Sequence, residues 1–259
     1  MYATERQELI EQLLAGEGRV SVVELAHRFG VTTETVRRDL DQLEAQGSLR
    51  RVHGGAVLRD RASTTEPSLP QRLERHGPAK AAIGIRALDA IPAAFRGSVF
   101  LDAGTTTAAV AAHLAARLSA APIEVVTHAL TLAHRLTEVP SASLTVIGGR
   151  VRALTAAAVG ADTVRAIEAM RPDVAFVGTN GVSAGFGLST PDPDEAAVKR
   201  AIVRSARRVV VVADADKLGR ELLVGFADLA DIDVLVTDAA PDDELAAALA
   251  EAGVEVWLA

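Results

Sequence analysis

Hydrophobic positions near the N-terminus repeat at the spacing of helices that each bury one face. The first predicted helix carries the apolar stripe Leu9, Ile10, Leu13 and Leu14. A second helix is predicted to begin at Ser21, because Glu24 three residues later completes a capping box, and to run to about Phe29. Its expected buried positions are Val23, Leu25, Ala26 and Phe29. Gly30 ends this helix and begins a short turn.

The third predicted helix runs from Thr33 to Ala45. Its buried face is Val36, Leu40 and Leu43. At about 100° per residue, the outer face is Glu34, Arg38 and Asp41. Helix, short turn and helix in this order predict a helix-turn-helix, in which the N-terminal part of the second helix reaches base edges in the major groove. The candidate DNA-reading side chains there are Thr33, Thr35, Arg37 and Arg38.

A basic strand pattern follows Gly47. Residues 49–57 read as two short strands joined by a tight turn on the pair Gly54-Gly55, which is typical of a wing. Arg50, Arg51 and His53 are candidates for contact with phosphates or a minor groove. The alternative is a structural three-helix domain with a solvated basic face. Cap, turn, periodicity and wing in the correct order favour a winged helix-turn-helix.

Beyond the wing, the hydrophobic pattern changes twice. Residues 59–78 contain prolines and few large apolar residues, so we predict a linker there, between a DNA-binding domain at 1–58 and a second domain at 79–259. In the second domain, short β-branched runs alternate with alanine-rich helical stretches, which predicts an α/β fold with a mostly parallel sheet covered on both faces. The runs are Val99–Leu101, Ile123–Val126, Leu144–Ile147, Val174–Val177, Val209–Val212, Val234–Val236 and Val254–Leu258.

Polar and small residues follow these runs, where an open parallel sheet binds its ligands. The loop from Asp102 to Thr107 places a glycine and three hydroxyls at a helix N-terminus, which suits a phosphate; the alternative is a well-capped turn. Lys217 would add a positive charge, and side-chain oxygens such as those of Asn180 and Glu195 hold sugar hydroxyls. Singly, each is a turn residue or a helix cap, but together they favour a phosphosugar pocket. The candidate effector-binding residues are Asp102, Gly104, Thr105, Thr106, Thr107, Thr127, Gly148, Gly149, Arg150, Asn180, Gly181, Glu195, Asp214 and Lys217.

Composition adds limits. The chain has 259 residues, 49% of them hydrophobic, which suffices for a small head and one sizeable α/β domain. The net charge of −7 argues against general nucleic-acid affinity, but not against a local basic patch between Arg28 and Arg59. Without cysteine there is no disulfide and no thiolate metal site, and we predict neither a metal nor a cofactor. Because no hydrophobic run is long enough to span a bilayer and the first residues are not signal-like, we expect a cytoplasmic protein with no membrane partner.

The head resembles that of a known family. The N-terminal head of the DeoR family of bacterial transcriptional regulators resembles the stretch GRVSVVELAHRFGVTTETVRRDLDQLEAQGSLRRVHGGAV. Within that family, the sequence is most similar to the actinobacterial branch that controls fructose uptake operons. Residues 79–255 resemble the sensor domain of that family through DAGTTT, Gly148-Gly149, GTNGVSAGFGLSTPDPDEAAVKRA and ADADKLG. Two positions depart from the family pattern: His128 replaces the usual Asn, and Asp216 replaces the usual Ser or Thr, where a carboxylate would repel a phosphate unless it points away.

The resemblance implies a fold for the second domain similar to ribose-5-phosphate isomerase and glucosamine-6-phosphate deaminase. It also implies a repressor that binds a double-stranded DNA operator as part of a homo-oligomer, a dimer or tetramer, and releases it when a phosphosugar such as fructose 1-phosphate binds. The alternative is a sugar-phosphate isomerase or deaminase with an accessory head, in which Asp102, Glu195 or Lys217 would be the general base. A winged helix has no obvious role in isomer exchange, so the head favours a regulator that is not an enzyme.

Overall fold

The computed structural model describes residues 3–45, 49–52, 54–58, 63–92, 95–117, 123–139 and 142–259. Within these ranges, no helix is long and apolar enough to cross a membrane. The chain divides into two compact units, the head, Met1–Thr65, and the C-terminal unit, Glu66–Ala259.

Helices and short strands alternate in the head as the periodicity predicts. The helices are α1 Ala3–Glu17, α2 Val22–Phe29 and α3 Thr33–Ala45, and the strands are β1 Arg19–Ser21, β2 Leu49–Val52 and β3 Gly55–Leu58. The strands pair antiparallel in the order β1-β3-β2, so the predicted hairpin gains a third strand that the sequence pattern does not indicate. The buried core includes Ile10, Leu14, Leu25, Val36, Leu40, Leu43 and Leu49. This arrangement confirms the helix-turn-helix head.

The start of α2 differs from the prediction. Ser21 stands at the N-cap, but its side chain makes no capping hydrogen bond, so the predicted capping box does not form. Ser21 is also the last residue of β1, where it pairs with Gly55. The buried face therefore begins one residue earlier than predicted: Val22 is buried, whereas Val23 is 69% exposed.

A seven-stranded parallel sheet in the order β15-β14-β12-β9-β4-β5-β6 forms the centre of the C-terminal unit. Its strands are β4 Ser98–Leu101, β5 Ile123–Thr127, β6 Ala142–Val146, β9 Val174–Gly178, β12 Val209–Val212, β14 Val234–Thr237 and β15 Glu255–Leu258. Each predicted run contributes one of these strands, which confirms the mostly parallel α/β fold. Phe100 packs into the core on one face of the sheet and Leu101 into the core on the other, as expected of a sheet covered on both faces.

Helices connect these strands and cover the sheet. They are α4 Leu69–Glu74, α5 Gly77–Ala87, α6 Thr105–Arg117, α7 Leu130–Leu136, α8 Ala161–Glu168, α9 Pro193–Ser205 and α10 Asp243–Glu251. Between these helices and the strands of the main sheet, the chain forms antiparallel strands that the sequence pattern does not predict. These are the hairpin β7 Arg150–Arg152 with β8 Ala157–Val159, and the sheet β10 Gly181–Ser183, β11 Gly187–Thr190 and β13 Val224–Ala227.

The segment predicted as a linker, 59–78, differs from that prediction in its second half. Helix α4 lies within it, and Gln71 in its first turn accepts a hydrogen bond from the Ser68 backbone at 3.0 Å. Helix α5 begins at Gly77, and the C-terminal unit begins at Glu66. Residues 66–78 therefore belong to the C-terminal unit rather than to a linker.

Candidate functional site

The outer face of α3 is the candidate DNA-reading surface. Thr32 stands before the helix, and its hydroxyl accepts a hydrogen bond from the Thr35 backbone N–H at 3.2 Å, so part of Thr35 is engaged in capping. Thr33 and Arg37 are exposed, and the side chain of Arg38 is 80% exposed. Glu34, itself exposed, lies 3.8 Å from Arg38 Nε, a separation at which surface charges interact weakly. Both arginines are therefore available to a ligand on this face.

A buried ion pair fixes the position of α3 in the head. Arg6 on α1 donates from Nε to Asp39 Oδ2 at 2.7 Å and from Nη2 to Asp39 Oδ1 at 3.0 Å. Such a two-pronged contact sets orientation as well as distance. Asp39 is buried with Leu40 on the inner face of α3. The contact therefore holds the opposite face of the helix outward.

Arg51 of the wing is turned toward α3. Its Nη1 donates to the Arg37 carbonyl at 3.2 Å and contacts the Asp41 carboxylate, and its side chain is 25% exposed. The cause is the strand period of two, which puts Arg51 on the same face of β2 as the buried Leu49. Arg51 thus docks the wing against α3, whereas we predicted a contact with phosphates or a minor groove. The side chain of Arg50 and all of His53 lie outside the described residues.

The candidate effector residues of the C-terminal unit converge at the carboxyl edge of the parallel sheet. Asp102 follows β4, His128 follows β5, Asn180 follows β9 and Asp214 follows β12. Strands β12, β9, β4 and β5 are consecutive neighbours in the sheet. Their loops therefore form one continuous rim, which is where ligands of such sheets bind.

Asp102 lies beneath this rim and is fully buried. Its Oδ2 accepts from Lys199 Nζ at 2.5 Å and from the Gly178 backbone at 2.9 Å, and its Oδ1 lies 3.0 Å from His128 Nε2. Burial raises the pKa of Asp102, but Lys199 and His128 outweigh it and lower the pKa to about 2. The carboxylate is therefore ionised and already surrounded by donors from the chain. It holds the neighbouring side chains in place from beneath the rim, whereas we predicted that it contacts the effector.

The first turn of α6 is the candidate anion site. Gly104 adopts a φ of 155°. Thr107 is buried, and its Oγ1 donates to the Gly104 carbonyl at 2.9 Å, which holds the turn. Thr105 is half-buried, and Thr106 is 9% exposed. Backbone N–H groups in the first turn of a helix have no partner within the helix and bind anions. Among the three predicted threonines, Thr105 and Thr106 are the ones placed to assist.

Other predicted residues have structural partners. Thr127 is fully buried and donates to the Leu101 carbonyl at 2.7 Å. A Cβ on Gly149 would lie 2.0 Å from Thr163 Oγ1, and one on Gly181 would lie 2.3 Å from the Arg220 carbonyl, so close packing requires glycine at both positions. Gly148 is exposed, and its carbonyl accepts a hydrogen bond from the Thr163 hydroxyl at 3.0 Å.

Charged side chains near α9 form one side of the rim. Arg150 contacts Asp194 at the surface. Arg152 donates to Asp192 at 3.0 Å and to Glu195 at 3.1 Å. Both acceptors belong to the N-terminus of α9, and Glu195 is buried. Glu195, a predicted effector residue, is therefore already paired with an arginine that we did not predict.

The loop after β12 forms the other side of the rim. Asp214 is buried, and its Oδ1 lies 3.6 Å from Lys217 Nζ. Asp216 Oδ2 lies 2.8 Å from His76 Nε2, so this carboxylate pairs within the chain and need not oppose a bound phosphate. Between these two sides, Asn180 Oδ1 accepts from the Thr190 hydroxyl at 3.0 Å.

Among the described residues, no group of three or more His, Asp or Glu side chains is arranged to hold a metal ion.

Comparison with known families decides the identity. Residues 6–62 match the model of the DeoR-like helix-turn-helix domain, and residues 52–239 match that of the DeoR C terminal sensor domain. The second match alone covers more than half of the chain. The chain belongs to the DeoR family. It is a DNA-binding transcriptional regulator and not an enzyme.

Relatives of this DeoR-family regulator match it over nearly its whole length. It is 36% identical over 256 residues to the transcriptional regulator GlpR of Haloferax volcanii, with 99% of this chain and 98% of GlpR covered. It is 33% identical to the transcriptional regulator FruR of Bacillus subtilis, with 92% of each covered. It is 32% identical to the glycerol-3-phosphate regulon repressor of Escherichia coli K12, with 93% of each covered.

Among solved structures, ribose 5-phosphate isomerase A from Methanocaldococcus jannaschii is similar to this chain. The TM-score is 0.40 and the identity 15%, over 54% of this chain and 53% of the isomerase. A likeness of that size says nothing about activity.

Sequence reasoning missed several residues of this DeoR-family sensor site. Lys199 is detectable in retrospect, because it lies one helical turn after Glu195 and so shares its face of α9. Arg152 stands on an unpredicted hairpin and carries no comparable signal. Lys80 on α5 is buried, and its Nζ donates to the Arg72 and Arg75 carbonyls at 2.5 and 2.6 Å. Burial lowers the pKa of Lys80 to about 8.

Proposed function

We propose that this DeoR-family regulator represses an operon for sugar uptake or catabolism and releases its operator when a phosphosugar occupies the rim of the C-terminal unit. The observation that carries the proposal is the convergence, at one carboxyl edge, of the α6 N-terminus, Lys217 and the Arg152–Glu195 pair. Amides and a lysine suit a phosphate, and the arginine-carboxylate pair suits hydroxyls. The name of one relative, the glycerol-3-phosphate regulon repressor, agrees with a phosphorylated effector.

Release requires that the phosphosugar bind better to an arrangement incompatible with operator binding, because a ligand shifts an equilibrium only through differential affinity. We propose that the protein acts as a homo-oligomer in the cytoplasm, a dimer or tetramer, since helix-turn-helix proteins read two half-sites with paired heads. Fructose 1-phosphate is our first candidate effector, from the resemblance of the head to regulators of fructose operons.

Footprinting of the region upstream of its own gene tests the proposal. We expect a protected site that is lost on adding fructose 1-phosphate, fructose 6-phosphate or glycerol 3-phosphate, each assayed separately. A site protected only in the presence of one of these compounds would make it a co-repressor and reverse the sign of the proposed response. A site indifferent to the whole panel would contradict the phosphosugar effector.

The exposed face of α3 gives a first prediction. Arg38→Ala weakens operator binding by about 1–3 kcal/mol, the range for a contact with a base edge, and relaxes the preference at one base pair. Gel-shift titration on the parent operator and its single-base variants measures this. Arg165→Ala removes an exposed arginine of the C-terminal unit and serves as the control for lost charge. Parent affinity in the Arg38 variant at matched salt would place the reading face elsewhere.

The docked wing gives a second prediction. Arg51→Ala weakens binding to all operator variants similarly, because it frees the wing from Asp41 and the Arg37 carbonyl without removing a base contact. We expect the slope of log K against log salt to stay unchanged. Salt titration of the variant beside the parent measures it. A slope smaller by about 1 would instead show that Arg51 neutralises a phosphate in the complex.

A further inference from the structure

Residues 66–80, which we name the strap, lie across the rim of the C-terminal unit. At one end, Glu66 Oε2 lies 2.7 Å from Arg152 Nη1. At the other, His76 pairs with Asp216 in the loop after β12. Between them, α4 packs against α6, whose first turn is the candidate anion site. The strap thus contacts both sides of the rim and the helix between them.

Glu66 is the buried end of the strap. Its side chain is 2% exposed and faces two guanidinium groups, with Arg72 Nη1 at 3.4 Å from Oε1. It also faces Glu195, which shares Arg152 with it. Burial, and then the charge of Glu195, raise the pKa of Glu66, while Arg72 and Arg152 act in the opposite direction.

The positive and negative charges around Glu66 do not balance. Arg152 serves three carboxylates, those of Glu66, Asp192 and Glu195. With Arg72 included, two positive groups face three negative ones. A buried charge is costly unless its partners compensate it fully. Glu66 is therefore held weakly for a residue so deeply buried.

The same cluster has unused hydrogen-bonding capacity. Arg72 Nε and Nη2 are buried and have no hydrogen-bond partner among the described residues. Buried hydrogen-bond donors in native proteins nearly always have an acceptor, so each of these two unpaired donors is a place where an acceptor of the ligand would bind. Neutral hydroxyl groups would supply acceptors to Arg72 and Arg152 and a donor to Glu195 without adding negative charge.

We propose that the strap is a lid over the effector pocket, that Glu66 is its latch, and that hydroxyl groups of the sugar part of the effector take the place of the Glu66 carboxylate at Arg72 and Arg152. The inference rests on the proposed function for its ligand. Glu66 is the first residue of the C-terminal unit, and Thr65 is the last of the head. Release of the latch therefore frees the segment that joins the two units. An effector that binds only the unlatched arrangement has the differential affinity that operator release requires.

The effect of removing the latch is measurable. A pocket that is open in about one tenth of the molecules binds its ligand about tenfold more weakly than an open one. Glu66→Ala leaves Arg152 paired with Asp192 and Glu195 and removes only the carboxylate on the strap. We expect the variant to bind fructose 1-phosphate about tenfold more tightly than the parent by isothermal titration. Glu74→Ala, an exposed glutamate on the same strap, is the matched control and leaves the affinity unchanged.

Hydrogen exchange of the ligand-free proteins gives a second readout that needs no effector. In the Glu66 variant, amides of Leu69–Glu74 exchange faster than in the parent, and in the Glu74 variant they do not. A Glu66 variant that binds fructose 1-phosphate as weakly as the parent, or more weakly, overturns the latch and leaves the proposed function standing. If no phosphosugar of the panel binds any of the proteins, the proposed function fails. Faster exchange confined to the Glu66 variant then still supports the latch, and unchanged exchange overturns it.

Discussion

Replacing Asp102 by asparagine lowers the free energy of unfolding of the C-terminal unit by about 3–5 kcal/mol, the range for removing one partner of a buried ion pair. The amide side chain keeps the shape of the carboxylate and one of its oxygens, so the loss is electrostatic. It leaves the Lys199 ammonium, which is itself buried, without the carboxylate 2.5 Å away. Urea unfolding followed by circular dichroism measures the change.

The same residue predicts a pH dependence. The pKa of Asp102 is about 2 in the folded chain, against an ordinary value of 3.8. A carboxyl whose pKa is lowered by folding stabilises the fold fully above its ordinary pKa, and the contribution is lost as pH falls through the folded value. The parent should therefore lose stability between about pH 4 and pH 2 more steeply than the Asp102→Asn variant.

Asp162→Asn is the matched control for both measurements. Its side chain is 83% exposed and pairs with Arg165 at the surface of α8, where such pairs contribute about 0.2–1 kcal/mol. If Asp102→Asn is no more destabilising than this control, or if the acid limbs of parent and variant coincide, Lys199 finds another counter-charge and the buried network is not what organises the rim.

The seven main strands were predictable because a parallel sheet covered on both faces needs uninterrupted apolar runs. Val209–Val212 is such a run, and each of its residues is buried. Strands β10 and β11 carry no such pattern. Gly181 and Gly187 stand in them for close approach to neighbouring backbone, at Arg220 and Ala227. That requirement depends on distant parts of the chain, so local periodicity cannot reveal it.

The start of α2 shows how tertiary pairing overrides a local signal. Ser21 and Glu24 have the spacing of a capping box, and isolated from the rest of the chain that spacing favours one. In the head, Ser21 pairs with Gly55 as part of β1, and the Val22 backbone donates to the Gly54 carbonyl at 2.9 Å. The wing therefore fixes the entry to α2, and Val22 rather than Val23 faces the core.

For the candidate site, sequence reasoning located the rim but not the orientation of its side chains. Asp102 follows β4 as predicted and Thr127 is the last residue of β5, yet both are fully buried. Two alternating directions are available to a residue at a strand end, and the packing of α9 and the neighbouring strand decides between them. Glu66 was assigned to a linker, because nothing local to it indicates its contact with Arg152.

Two substitutions at the rim test the phosphate site itself. Lys217→Ala and Thr106→Val each yield a regulator that folds and binds its operator but responds weakly to its phosphosugar. Both side chains stand at carboxyl ends of strands, Lys217 after β12 and Thr106 in the first turn of α6. A phosphate dianion needs both a positive charge and donors at a helix N-terminus. Loss of either costs about 1.5–3 kcal/mol, the range for hydrogen bonds to charged groups, or roughly ten- to a hundredfold in affinity.

Isothermal titration with fructose 1-phosphate and fructose 6-phosphate, beside a gel-shift series, measures both sides of this prediction. Operator affinity without ligand stays at the parent value, because neither residue belongs to the head. Thr137→Val is the control for Thr106, since it removes an exposed threonine hydroxyl that donates to the His134 carbonyl at the end of α7. Unaltered release of the operator in both rim variants would move the phosphate away from α6 and Lys217. The rim would then lose the physical reason for which we regard it as a phosphosugar site, because its arginines Arg150 and Arg152 are already paired with carboxylates of the chain.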